Sequence, residues 1–130
     1  MKATELMVGD YVIRKNVPKE ILIVDTIDSI RDIVYLDLDG LGITEKIENI
    51  EPIPLTQKIL GQNGFKESKY GEMILDEELG TSEIYLVLEP SYDDAYYWWS
   101  VNNELIAKIK SVHELQHTLR LCRFNKEIKI

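Results

Sequence analysis

The residues best suited to chemistry are His113, Glu114 and His117, which form the pattern H-E-x-x-H and include both histidines of the chain. Two imidazoles one helical turn apart can bind Zn²⁺ through neutral nitrogens, while the Glu between them acts as general base on a metal-bound water. That chemistry is zinc-dependent hydrolysis, with His113 and His117 as ligands and Glu114 as base. Two arguments run against it. Ser111 stands at capping-box spacing from Glu114, so its hydroxyl can accept the Glu114 backbone N–H while the Glu114 side chain reaches back to Ser111. The pair Ser111 and Glu114 then caps a helix, and His113 falls in a first turn whose partial positive charge disfavours a bound cation. A catalytic zinc also needs a third protein ligand. Downstream of His117 the sole acidic or imidazole side chain is Glu127, and no spacing rule supports Asp93 or Asp94 upstream.

Helical geometry adds a softer test. At about 100° per residue, Val112, Leu115, Leu119 and Cys122 make one apolar stripe, and His113 and His117 sit side by side on a flank nearer Arg120, partly exposed. The sequence therefore assigns no catalytic residue, no metal and no cofactor, and zinc hydrolysis stands as the alternative. Cys122 on the apolar stripe is a poor nucleophile, because burial raises the cost of a thiolate.

The second chemically notable group is aromatic: Tyr92, Tyr96, Tyr97, Trp98 and Trp99. On a strand, alternation sends Tyr97 and Trp99 to one side and Tyr96 and Trp98 to the other. One side packs into a core beneath the helix. The other is a candidate interaction surface, since exposed Tyr and Trp are enriched at interfaces. The reading places Tyr97, Trp99 and Tyr92 on that surface and Trp98 in the core.

The elements that must position these residues are short. Tyr11 to Lys15, Glu20 to Thr26, Asp32 to Leu38 and Ile43 to Ile47 read as strands, parted by Val17-Pro18-Lys19 and by the hairpin signal Asp39-Gly40. The Leu36 and Leu38 face is apolar and the Asp37 and Asp39 face is wet. So many short strands in about fifty residues point to a small SH3-like barrel over 1–53, which would remove exposed edges. Pro52 and Pro54 then stop pairing, and Thr56 caps a linker helix within 54–64 that passes Ile59 and Leu60 to end at Asn63-Gly64. Over 65–130, Glu83 to Glu89, Tyr96 to Val101 and Glu104 to Lys110 read as strands, the last two flanking an Asn102-Asn103 hairpin. A helix over 112–122 and an edge strand over Glu127 to Ile130 complete an α+β unit.

Composition sets outer limits. The chain has 130 residues, 45% of them hydrophobic, and a net charge of -8. The charge divides as -5 over 1–54, -7 over 55–104 and +4 over 105–130. Duplex nucleic acid is disfavoured, because phosphate contacts need clustered cations. The basic tail (Lys108, Lys110, Arg120, Arg123, Lys126, Lys129) keeps a nucleic-acid-associated module open as a second alternative. A single cysteine fits a reducing compartment, so cytoplasm is the expectation, with no signal peptide and no membrane span. There is no glycine-rich phosphate loop and no nucleophile elbow.

Three blocks carry a resemblance. Met1 to Asp10, the stretch Ile50-Glu51-Pro52-Ile53-Pro54-Leu55-Thr56 with Ile59-Leu60 and Asn63-Gly64-Phe65, and Val112-His113-Glu114-Leu115-Gln116 are similar to an uncharacterised family of small proteins from Bacteroides-type bacteria, their phages and mobile elements. The family's helix motif resembles V-H-x-L-Q. The resemblance therefore implies that Glu114 and His117 complete H-E-x-x-H incidentally, and it carries no activity over. The expectation is a non-enzymatic interaction or accessory protein whose partner is a protein, with a homo-oligomer left open.

Overall fold

The computed structural model describes residues 1–79, 82–91, 96–101, 104–122 and 127–130. The chain forms two compact units, Met1–Pro54 with Ser111–Asn125, and Leu55–Lys110 with Lys126–Ile130. The C-terminal helix thus belongs with the first fifty residues, whereas the sequence reading grouped it with the second half.

In the first unit, strands β1 (Tyr11–Arg14), β2 (Val17–Asp28), β3 (Ile33–Leu38), β4 (Leu41–Lys46) and β5 (Ile50–Pro52) form one antiparallel sheet in the order β4-β3-β2-β1-β5. Alternation buries one face: Val12, Leu22, Val24, Val34, Leu36 and Ile50 are at most 1% exposed, and Leu6 and Ile47 join them. At the β3 to β4 hairpin, Asp39 and Gly40 both take positive φ (50° and 88°), the backbone demanded by a two-residue turn whose twist matches the strands.

Three expectations are corrected here. The sheet is open, not a closed SH3-like barrel: β4 and β5 are its two edges and share no ladder, although only the 3-10 turn at Ile47–Asn49 separates them in the chain. Val17 to Lys19 is no separator, since β2 already begins at Val17. Pro52 does not stop pairing either. It sits opposite Val12 at the end of an edge strand, where a missing N–H is tolerated.

The second unit holds α1 (Gln57–Gln62), β6 (Lys66–Glu67), β7 (Met73–Leu79), β8 (Ser82–Pro90), β9 (Tyr97–Val101) and β10 (Glu104–Ile109). Thr56 caps α1 by accepting from the Ile59 N–H at 3.2 Å. The strands form an antiparallel sheet in the order β10-β9-β8-β7-β6. One transverse row runs Glu67, Met73, Leu88, Trp99, Ala107 by direct pairing, and Met73, Leu88 and Trp99 are 3%, 0% and 0% exposed. This register decides which tryptophan is buried. Trp99 lies in the core row and Trp98 is half-buried on the other face, the reverse of the expectation.

The strand expected over 127–130 does not form. Asn63 holds that segment instead: its Nδ2 donates to the carbonyls of Ile59 (2.8 Å) and Lys129 (2.7 Å), and its Oδ1 accepts from the Lys129 N–H (2.7 Å). The side chain replaces ladder partners, and Ile128 is 1% exposed beside it. Asn102 and Asn103 lie outside the described residues, and the flanking Val101 and Glu104 are paired.

Candidate functional site

The H-E-x-x-H residues lie on α2 (Val112–Leu121), which the first unit contains together with the turn before β1. Ser111 is the N-cap, in extended backbone, and its Oγ accepts from the Glu114 N–H at 3.4 Å and donates to Glu114 Oε1 at 3.0 Å. The Val112 N–H is satisfied by the Ile53 carbonyl. The stripe of Val112, Leu115 and Leu119 is at most 1% exposed, so the apolar face of the helix is buried.

The polar face then meets Asp10. This carboxylate is fully buried, and it accepts from the Met7 N–H at 2.7 Å and from His117 Nε2, which lies 2.9 and 2.8 Å from its two oxygens. Arg120 Nη1 stands 3.9 Å away. Beside it, Gln116 accepts from the Tyr11 N–H at 3.0 Å and donates to the Gly9 carbonyl at 3.1 Å. An unpaired buried carboxylate would cost several kcal/mol, so Asp10 commits the helix to one rotation and one register. Gly9 permits the approach: its φ is +93°, and a Cβ there would meet Arg120 Nη2 at 3.0 Å.

His113 is 5% exposed, where partial exposure was expected, and its ring packs edge-on to that of His117 with centroids 5.5 Å apart. Its Nδ1 lies 3.1 Å from Ser111 Oγ. With the hydroxyl hydrogen given to Glu114, donor accounting places the imidazole hydrogen on Nδ1. Burial holds the His113 pKa below its ordinary value, and the His117 ring adds to this, although Asp10, Glu114 and Glu5 pull the other way. Neutral His113 is therefore the form that packs.

The site brings together Asp10, Ser111, His113, Glu114 and His117, and what it can do is hold. A serine, two imidazoles and a carboxylate in sequence suggest a hydrolytic relay, yet Ser111 is 2% exposed and its hydroxyl is spent on the helix turn, so no substrate carbonyl reaches it. Among the described residues no three His, Cys, Asp or Glu side chains are grouped to hold a metal ion. Glu114 is tied to Ser111, and Glu127 and Asp10 do not complete a ligand set with the two histidines. Asp93 and Asp94 lie outside the described residues.

Asp10 is the residue that sequence reasoning missed. It stands more than a hundred residues from its imidazole, and its place directly after Gly9 is the one local signal that could have marked it.

Of the expected interaction surface, Trp99 is fully buried and is withdrawn, and Tyr92 lies outside the described residues. Tyr97 is half-buried and lines a cavity of the second unit with Glu67, Met73 and Pro90. The basic tail is not a single bare face. Lys108 Nζ lies over the rings of Tyr96 and Trp98, Arg120 faces Asp10, and Arg123 and Lys126 lie outside the described residues. No helix among the described residues is long and apolar enough to cross a membrane. No family model, curated protein or solved structure matches the chain.

Proposed function

We propose that the protein works by non-covalent contact with another protein, without catalysing a reaction, and that the outward face of the first sheet makes that contact. The observation that carries this reading is the residue content of that face. Alternation with buried Val12, Leu22 and Val24 turns Tyr11, Ile13, Ile21 and Ile23 outward, and Tyr11 pairs with Ile23 while Ile13 pairs with Ile21. Ile21 and Ile23 are each 37% exposed. The solvated face of an antiparallel sheet is normally polar, so two adjacent apolar cross-strand pairs favour an interface.

The rim gives the partner its chemistry. Glu51 stands opposite Ile13 and Asp37 opposite Ile23. An apolar centre between carboxylates, in a segment of net charge -5, fits a protein surface with an apolar centre flanked by Lys or Arg. A second copy of this chain carries the same acidic rim and is disfavoured. A role in a phage or mobile element rests on the sequence resemblance alone.

The test compares immobilised wild type, Ile21→Lys/Ile23→Lys and the distant Ile30→Lys, after confirming equal thermal midpoints. A protein held by wild type and Ile30→Lys, released by salt and lost with the double variant supports the reading. Equal retention on all three overturns it.

A further inference from the structure

We propose that the cavity at the end of the second sheet's buried face is a binding site for an alkylammonium group. The cavity has a volume of about 340 Å³ and is lined by Gln57, Glu67, Gly71, Met73, Pro90, Tyr96 and Tyr97. Two cross-strand pairs build its floor, Glu67 with Met73 and Pro90 with Tyr97, so its walls follow from sheet register. This site lies within one unit and does not depend on the outward face of the first sheet.

Three features select the ligand. The size lies at the small end of ligand pockets, which suits a compact group or one side chain rather than a nucleotide. Among the described lining residues the sole charge is Glu67, whose carboxylate has no ion pair or hydrogen bond among the described residues. The other walls are Gln57, Gly71, two tyrosines, a methionine and a proline, a mixed lining in which the Tyr rings and the thioether offer surface to a diffuse positive charge and the polar groups keep the ammonium partly solvated.

A carboxylate with aromatic walls attracts a cation and repels an anion, and the negative balance of residues 55–104 reinforces the sign. The protein uses the same chemistry on itself nearby: Lys108 Nζ lies 4.7 Å from the Tyr96 ring centroid and 5.2 Å from that of Trp98. That ammonium is not among the cavity's lining residues.

The ligand is either a free small alkylammonium compound or the side chain of a Lys in another protein, and both present a positive charge on an alkyl nitrogen. The test is an NMR titration of the full chain with choline, with its uncharged isostere 3,3-dimethylbutanol, and with Nα-acetyl-lysine methylamide. The proposal predicts that the amide signals of Gly71, Met73 and Tyr97 move with at least one charged probe. The isostere should bind about fivefold or more weakly, as expected for a cation held by rings and a carboxylate.

Glu67 is exposed on an edge strand, so Glu67→Gln should fold and weaken the charged probes while leaving the isostere unchanged. Tyr97→Leu gives a second reading of the ring contribution. Preference for choline identifies a free small quaternary ammonium compound, and preference for the lysine amide identifies a primary ammonium on a side chain. Equal binding of charged and neutral probes, or no shift with either charged probe, overturns the site.

Discussion

The two sheets solve the same problem with different chemistry. In the first unit a buried carboxylate, Asp10, is satisfied by a histidine more than a hundred residues away, and Gln116 ties the same turn to the same helix. In the second, the central row of Met73, Leu88 and Trp99 is apolar, and its one polar side-chain N–H, Trp99 Nε1, has no hydrogen-bond partner among the described residues. A polar clamp contributes orientation more than net stability, because desolvation offsets much of the attraction. An apolar row contributes stability and tolerates an orphan N–H. The contrast teaches that the conspicuous H-E-x-x-H string serves the placement of α2.

The largest effect should break the apolar side of this comparison. Trp99→Ala removes a side chain of no exposure and should cost about 3–5 kcal/mol in denaturant unfolding, whereas Trp98→Ala should cost under about 1.5 kcal/mol. Equal losses would mean that both faces of β9 are core. On the polar side, Asp10→Ala leaves the Met7 N–H and His117 without their acceptor and should cost about 3 kcal/mol. A loss below about 1 kcal/mol in the same assay would show that solvent replaces the carboxylate freely.

Smaller effects sharpen the picture. Ser111→Ala should lower stability by about 1 kcal/mol, with or without a chelator, because it deletes the helix cap. A loss confined to zinc-loaded protein would favour metal binding. The pH dependence has a definite sign. His113 has a lowered native pKa, so the unfolded chain binds more protons than the folded one as pH falls below about 6.5. Its contribution is therefore intact above that pH and is lost on acidification towards the native pKa. Thermal midpoints between pH 7.5 and 5 should fall more steeply for wild type than for His113→Gln, and parallel curves would contradict the assignment.

Much of this was legible from local pattern. The Asp39-Gly40 turn, the Thr56 cap and the Val112, Leu115, Leu119 stripe each depend on residues within one or two turns of chain, and such signals survive without tertiary information. The open sheet was not legible, because closure depends on whether β4 and β5 meet, and no local residue states that. β7 was missed because Met73 to Leu79 mixes three acidic residues into an otherwise apolar strand. The choice between Trp98 and Trp99 rested on two faces of similar polarity, and only the pairing of Leu88 with Trp99 separates them. Asp10 was invisible for the same reason as closure: its partner is set by the fold.

The most direct test is a double-mutant cycle between Asp10→Asn and His117→Gln, measured by chemical denaturation with and without added zinc. Helix anchoring predicts a coupling energy of about 1–3 kcal/mol that is unchanged by zinc, as for buried partners in direct contact. Additive single losses, or a coupling that appears only with zinc, would contradict it.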